Sequence, residues 1–313
     1  MTIKTVTVFG ASGRQGQAQV KSLLSAGYWT RAVSRHQSIF HAPAFAGAAV
    51  VAADYQDRGS LERACRHADA VFFQPPQAER PDLVLEHARS VSEAALAAGV
   101  QRLVLNSTMW APDEPCGQSM YDLVLAVENI FAKSKVPVVI LRPTVFMDNW
   151  LTAFAKPALV KEHKYRYPHK PELNYSPIAL DDLAKFMVAA LSQDAWVGRR
   201  LRVAGPEILT PPAVAEILSG AMGVQIVHEY QTPQEFGYYV HSLMGAATGL
   251  DRDAYVAYFA DFYNFNNDAP QQPFLYDVTP LLREVPLKLE TFREWAGRQD
   301  WRSLDDAVGS STG

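Results

Sequence analysis

Three glycines carry the first chemical signal in this sequence. In Gly10-Ala11-Ser12-Gly13-Arg14-Gln15-Gly16 they recur at every third position, directly after the β-branched, apolar run Thr5-Val6-Thr7-Val8-Phe9. A glycine-rich turn that leaves a strand and opens a helix presents the free N–H groups and positive dipole end of that helix to an anion. Gly10 permits the tight turn, Gly13 lets the backbone approach a pyrophosphate, and Gly16 lets the helix lie close on the strand. The spacing is G-x-x-G-x-x-G rather than G-x-G-x-x-G, and Ser12, Arg14 and Gln15 complete the loop. About 20 residues further on, an NAD-preferring site places Asp or Glu. Here that place holds Ser34-Arg35-His36, with no carboxylate. The planar fork of Arg35 suits a 2′-phosphate, and Arg14 offers a second cation nearby. The expected ligand is therefore NADP(H), preferred over NAD(H).

The residues that would line the rest of such a ligand follow later strand patterns. Asp54-Tyr55 is placed to border the adenine, although Asp54 could equally cap a helix starting near Ser60. Phe73-Gln74 and Asn106-Ser107-Thr108 stand where ribose and nicotinamide run; Phe73 serves equally well as core. Pro143, just past a further strand pattern, is also a candidate cofactor contact. Met109, Trp110, Phe146 and Trp150 follow strand ends and form a candidate wall for a hydrophobic aromatic small molecule. A C-terminal set of aromatics (Phe236, Tyr238, Tyr239, Tyr255, Tyr258, Phe259, Phe262, Tyr263) reads mainly as helical core.

The elements that position these residues alternate. Strands are expected at 5–9, 29–33, 48–52, 70–73, 103–105 and 137–141, with helices at 14–26, 60–67, 81–98 and 118–132. Strands alternating with helices predict an α/β fold: a Rossmann-type, doubly wound parallel sheet with helices on both faces, whose ligand lies beyond the carboxyl ends of the strands. After residue 145 the alternation loosens. A helix at 178–191 and a strand at 201–203 return to the sheet, Thr210-Pro211-Pro212 starts a helix, and Ile226-Val227 reads as a strand. The expected organisation is a nucleotide-binding domain over 1–150, with 178–205 returning to it. A smaller, mostly helical substrate lobe covers 151–301, and 302–313 form a disordered tail.

Composition narrows the function classes. Of 313 residues, 48% are hydrophobic, enough for a large core, and the formal net charge is −4 with no basic run. A nucleic-acid footprint is therefore absent. Cys65 and Cys116 form no C-x-x-C pair, so no disulfide framework or zinc site is expected, and no metal is assigned. No apolar run reaches the ~18–20 residues of a membrane helix, and no signal segment precedes the first strand. A cytoplasmic protein is the expectation.

The sequence resembles the NmrA-like branch of the atypical short-chain dehydrogenases. The resemblance rests on the glycine block, Arg35, Asp54 before Leu61, Glu128, and the run Leu141-Arg142-Pro143-Thr144-Val145-Phe146-Met147-Asp148-Asn149. It continues with Leu180-Asp181-Asp182-Leu183-Ala184 and Ala204-Gly205-Pro206-Glu207-Ile208-Leu209-Thr210. It implies NADP(H), a C-terminal lobe over a substrate cleft, and either reductase activity or redox sensing without turnover. A homodimer or a regulatory protein partner is compatible with it.

The short-chain dehydrogenases use a serine and a Tyr-x-x-x-Lys pair. Ser107 and Tyr121 match the serine and the tyrosine, but Leu125 stands where the lysine belongs. A tyrosine with no cation beside it keeps a pKa near ~10 and serves poorly as an acid at neutral pH. Three readings stay open. Tyr121 and Ser107 hydrogen-bond the substrate oxygen as donors only; or Lys161, Lys164 or His169 folds over the site; or Tyr121 is a packed aromatic. His163 and His169 are expected in a solvated loop. The leading expectation is an NADPH-dependent reductase of a quinone, enone or aromatic carbonyl. The alternative is an NADP(H)-sensing regulator that binds a protein partner.

Overall fold

The computed structural model describes residues 2–35, 45–76, 80–248 and 251–304. His36 and most of the C-terminal tail, residues 305–313, lie outside the described residues.

Seven strands build a parallel sheet: β1 (Thr5–Val8), β2 (Trp29–Ser34), β3 (Ala49–Ala52), β4 (Ala70–Phe73), β5 (Arg102–Asn106), β6 (Val138–Pro143) and β8 (Arg200–Val203). Their spatial order is β3-β2-β1-β4-β5-β6-β8. The chain leaves β1 toward β2 and β3, then crosses back to β4 on the other side. That reversal opens a crevice at the carboxyl ends of β1 and β4, where such sheets take ligands. The fold is the expected Rossmann-type α/β arrangement. β4 is apolar throughout and β5 is buried throughout because both sheet faces are covered.

One face packs on α1 (Arg14–Ser25) and α6 (Leu180–Ala189), around Val6, Val8, Val20, Leu183, Phe186 and Leu201. The other packs on α2 (Arg58–Cys65), α3 (Pro81–Ala97) and α4 (Ser119–Ala132), around Phe9, Phe73, Val91, Leu105 and Phe131. Helix α2 starts two residues earlier than the sequence suggests. Asp57, rather than Asp54 or Ser60, is its N-cap, with Asp57 Oδ1 accepting from Ser60 N at 3.2 Å. Asp57 stands three residues nearer the first helical residue than Asp54, within reach of the Ser60 N–H.

The second body of the molecule has its own core. It contains α5 (Lys156–Glu162), β7 (Lys164–Tyr167), α7 (Pro211–Met222), β9 (Val227–Tyr230), α8 (Pro233–Thr248), α9 (Arg252–Asp268), α10 (Thr279–Glu284) and α11 (Phe292–Gly297), of which α10 packs back on the sheet side. β7 and β9 form a separate two-stranded parallel sheet. Sequence reading missed this strand, which runs between His163 and His169 and leaves both outside it. Tyr165 and Tyr167 alternate with Lys164 and Arg166, a period-2 pattern too short to read without its partner strand. Among the described residues no helix is long and apolar enough to cross a membrane.

Candidate functional site

The glycine loop joins β1 to α1 under tight steric constraint. Gly10 sits at φ +66°, a left-handed conformation natural to glycine. A Cβ on Gly16 would lie 2.2 Å from Gly10 O and 2.6 Å from Ala11 Cα. Gly13 is the N-cap of α1; no side chain caps that helix start, and its first turn holds no acidic residue. The first-turn N–H groups have no intrahelical acceptor and face the crevice end of the sheet. Among the described residues no side chain closes the positive end of α1. Around it stand Ser12, whose hydroxyl is 3.5 Å from that of Ser34, and Arg35, exposed just past β2. Gln74 borders Gly10 from β4 and accepts from Gln19 Nε2 at 2.6 Å. Tyr55 stacks on His87, ring centroids 4.9 Å apart, with its hydroxyl close to Gly10. Asp54 is exposed and closes its own turn, Oδ1 accepting from Gln56 N at 2.9 Å.

Two expected ligand contacts are used differently. Arg14 sends its guanidinium across to the turn Met147–Leu151, donating to Asp148 O at 3.1 Å and Leu151 O at 3.0 Å. It clasps the glycine loop to the segment after β6, and Arg35 is left as the cation at the β2 end. Phe73 turns its ring into the core against Phe9, Tyr55 and Phe131, because a residue ending a doubly covered strand faces packed helices. Asn106 ties β5 to the loop: Nδ2 donates to Gln15 Oε1 at 2.6 Å, and Oδ1 accepts from Thr108 N at 2.9 Å, holding Thr108 at φ +67°. Pro143 is the buried last residue of β6.

At the expected substrate end, Tyr121 is fully buried, and its hydroxyl donates to Asn266 Oδ1 on α9. Its ring touches Trp110 at 5.0 Å, Phe262 at 5.4 Å and Phe265 at 5.6 Å. Burial pushes the phenol well above its ordinary pKa. Ser107 is also fully buried, its Oγ 2.8 Å from Met109 O and 3.0 Å from Leu141 O. Leu125 packs with Ala111 and Val124. Of the three cations considered as substitutes, Lys161 is exposed and Lys164 pairs with Glu229. His169, expected in solvent, is 1% exposed among Tyr167, Tyr175, Tyr263 and Phe274, and burial lowers its pKa to about 3. It is neutral at pH 7.

The expected aromatic wall divides. Trp150 is 1% exposed and packs on Tyr165, Tyr167, Tyr175 and Phe292 as lobe core. Phe146 joins the sheet core and pairs with Ile178. Met109 and Trp110 stay at the junction of sheet and lobe, beside Tyr121. Two residues there escaped sequence reading. Asn266 receives the Tyr121 hydroxyl, and Arg202 lies with its guanidinium carbon 5.9 Å from the Trp110 ring centroid and 5.1 Å from that of Tyr276. No local pattern marks either; both arrive from segments distant in sequence.

Comparison with known proteins agrees with this geometry. A (4-alkanoyl-5-oxo-2,5-dihydrofuran-3-yl)methyl phosphate reductase of Streptomyces griseus subsp. griseus is 32% identical over 222 residues, 70% of this chain and 74% of that protein. Among solved structures, an NADPH-dependent quinone oxidoreductase of Escherichia coli complexed with NADPH superposes with a TM-score of 0.74 at 21% identity, covering 93% of this chain and 98% of that one. The triphenylmethane reductase of a Citrobacter species, complexed with NADP(H), gives 0.74 at 18% identity, over 94% and 99%. The family model for the NmrA-like family matches residues 2–296, and with the glycine loop, the β1/β4 crevice and the lobe in place, the chain belongs to that family.

Proposed function

We propose that this protein is an NADP(H)-dependent oxidoreductase that reduces a flat, hydrophobic quinone, enone or aromatic carbonyl. The observation that carries the reading is the uncapped, acid-free start of α1 at the β1/β4 crevice, with Arg35 in place of a ribose-binding carboxylate. These residues fit the dinucleotide: backbone N–H groups for the diphosphate, and a guanidinium for the 2′-phosphate. The dihydrofuran phosphate reductase and the quinone oxidoreductase among the similar proteins support the substrate class. When bound, NADPH supplies hydride. The chain's own contribution is orientation: Asn106 and Gln15 brace the loop, and Met109 and Trp110 offer an apolar face. Tyr121 keeps its proton at neutral pH and spends it on Asn266, so it acts as a positioning residue that joins α4 to α9. A quinone or enone suits such a site, because the charge that develops on its oxygen is spread by conjugation and can take its proton from water.

A second reading, an NADP(H) sensor without turnover, is favoured by one observation: Leu125 holds the lysine position and packs apolarly. One set of measurements separates the two. Calorimetry with NADPH and NADH should show NADPH bound at least about tenfold more tightly, the range of one charge-assisted contact. Absorbance loss is then followed with quinones, enones and aryl carbonyls. Turnover supports the reductase; no turnover, with a large affinity gap between NADP⁺ and NADPH, supports the sensor. Equal affinity for NADPH and NADH removes the basis of both.

A further inference from the structure

Three other arginines of β5, β6 and β8 are balanced by carboxylates. Arg142 meets Glu128 at 2.7 Å and Asp113 at 3.1 Å, Arg200 meets Glu128 at 3.0 Å, and Arg102 meets Asp194 at 2.6 Å. Arg202 differs. It comes off β8 next to Arg142 in register, and its side chain runs toward Trp110. Nη2 donates to the carbonyls of Pro273 at 3.0 Å and Leu275 at 2.9 Å, with Gln272 O at 3.5 Å. Nε is buried and has no hydrogen-bond partner. The titratable groups that act on it are Arg142, Tyr276 and Tyr121, with no carboxylate among them. Burial disfavours its charge, and the positive Arg142 works in the same direction.

A partly buried guanidinium with no counter-ion and an unused donor is costly to hold. The cost is offset when an anion arrives, because charge-assisted bonds in a dry setting are about twice as strong as neutral ones. The flanking rings of Trp110 and Tyr276 also shape the place. The guanidinium lies over both rings, which hold it in an apolar, aromatic setting. Trp110 touches Tyr121, so the position adjoins the substrate end of the site. We infer that Arg202 is the specificity-determining residue of this site and selects substrates that carry an oxyanion, a carboxylate or phosphate, on an aromatic or conjugated frame. The inference rests on the substrate location proposed above, but not on turnover.

Its test is therefore a binding measurement with redox-inert probes. Calorimetry compares 2-naphthoate with 2-naphthamide, equal in shape and different in charge, and adds 2-naphthyl phosphate, each with the full chain, with and without NADP⁺. The expected result is tighter binding of naphthoate than naphthamide by about tenfold, one charge-assisted contact in free energy. The phosphate arm tells which oxyanion is preferred. Arg202→Met should bring the acid and amide to equal affinity, while Arg202→Lys keeps part of the difference. Raising the salt should narrow the gap in wild type only. Equal affinities in wild type overturn the inference whether or not the Met variant folds. So does a Met variant that folds and keeps the preference. Loss of acid and amide binding alike in that variant also overturns it, since it would mean that Arg202 only staples residues 272–275. If naphthoate is preferred and no carbonyl compound is ever reduced, the reductase reading fails and the anion site stands.

Discussion

Gly16 has no room for a side chain, and its neighbour in the loop does. The atom closest to a Gly16 Cβ is a backbone carbonyl oxygen at 2.2 Å, whereas the closest to a Gly13 Cβ is Gly10 O at 3.6 Å, an ordinary contact. Gly16→Ala must push α1 off β1 and with it the N–H groups that face the ligand. We expect Gly16→Ala to lower both folding stability and NADPH affinity, the affinity by about 100-fold or more, comparable to losing two charge-assisted bonds, whereas Gly13→Ala, whose Cβ meets no protein atom closer than 3.6 Å, spares stability and acts only on the approach of the pyrophosphate. Urea unfolding of both variants checks the order, and equal losses of stability would contradict it. Tyr121→Phe leaves Asn266 Oδ1 buried without its donor, which costs about 1–3 kcal/mol of stability. If Tyr121 positions rather than protonates, reduction of a quinone should persist in this variant within about tenfold, far less than the loss of a working general acid. The glycine loop and Arg35 are legible in the sequence because they act through backbone conformation and strand-end position. The fate of Tyr121 is not, since its partner lies on a helix far along the chain.

At the level of elements, Glu128 on α4 is the tie between helix and sheet edge. Fully buried, it accepts from Arg142 Nε at 3.0 Å and Nη2 at 2.7 Å on β6, and from Arg200 Nε at 3.0 Å on β8. Glu128→Gln keeps the shape and removes the charge, leaving two guanidinium groups facing each other. We expect a loss of about 3–5 kcal/mol, read as a lower urea midpoint, because breaking one member strands buried charge. A change under about 1 kcal/mol, the range of a surface pair, would mean that solvent already screens this cluster. Leu141-Arg142-Pro143 and the Asp148 block stand out in the sequence, but their purpose does not. Asp148 Oδ2 accepts from Leu180 N at 3.0 Å and so serves the start of α6 from 32 residues away. Strand and helix patterns are read from spacing; a remote cap and a four-residue ion cluster need the fold. The same limit hid β7, whose four residues become a strand only when β9 arrives.

For the molecule as a whole, the lobe core makes stability depend on pH. His169 sits at 1% exposure among four aromatic rings, and its pKa falls from the ordinary ~6.5 to about 3. The unfolded chain takes up a proton below about pH 6.5 and the folded chain does not, so the folded state loses ground as pH drops from there toward 3. His228, also lowered by burial, adds in the same sense. Asp148 and Asp182 are raised by burial and work in the opposite sense, but they are common to wild type and a His169 variant, so the difference between the two over the interval from about pH 6.5 to about pH 5 isolates the histidine. Over it, each fully excluded proton contributes a slope of about 1.4 kcal/mol per pH unit. His169→Phe fits an all-aromatic surround and removes one titrating group. Unfolding free energies by urea at several pH values should show a slope shallower by about that amount in the variant. Parallel slopes would mean that water reaches the His169 ring, and that the tyrosine cage around it opens in solution.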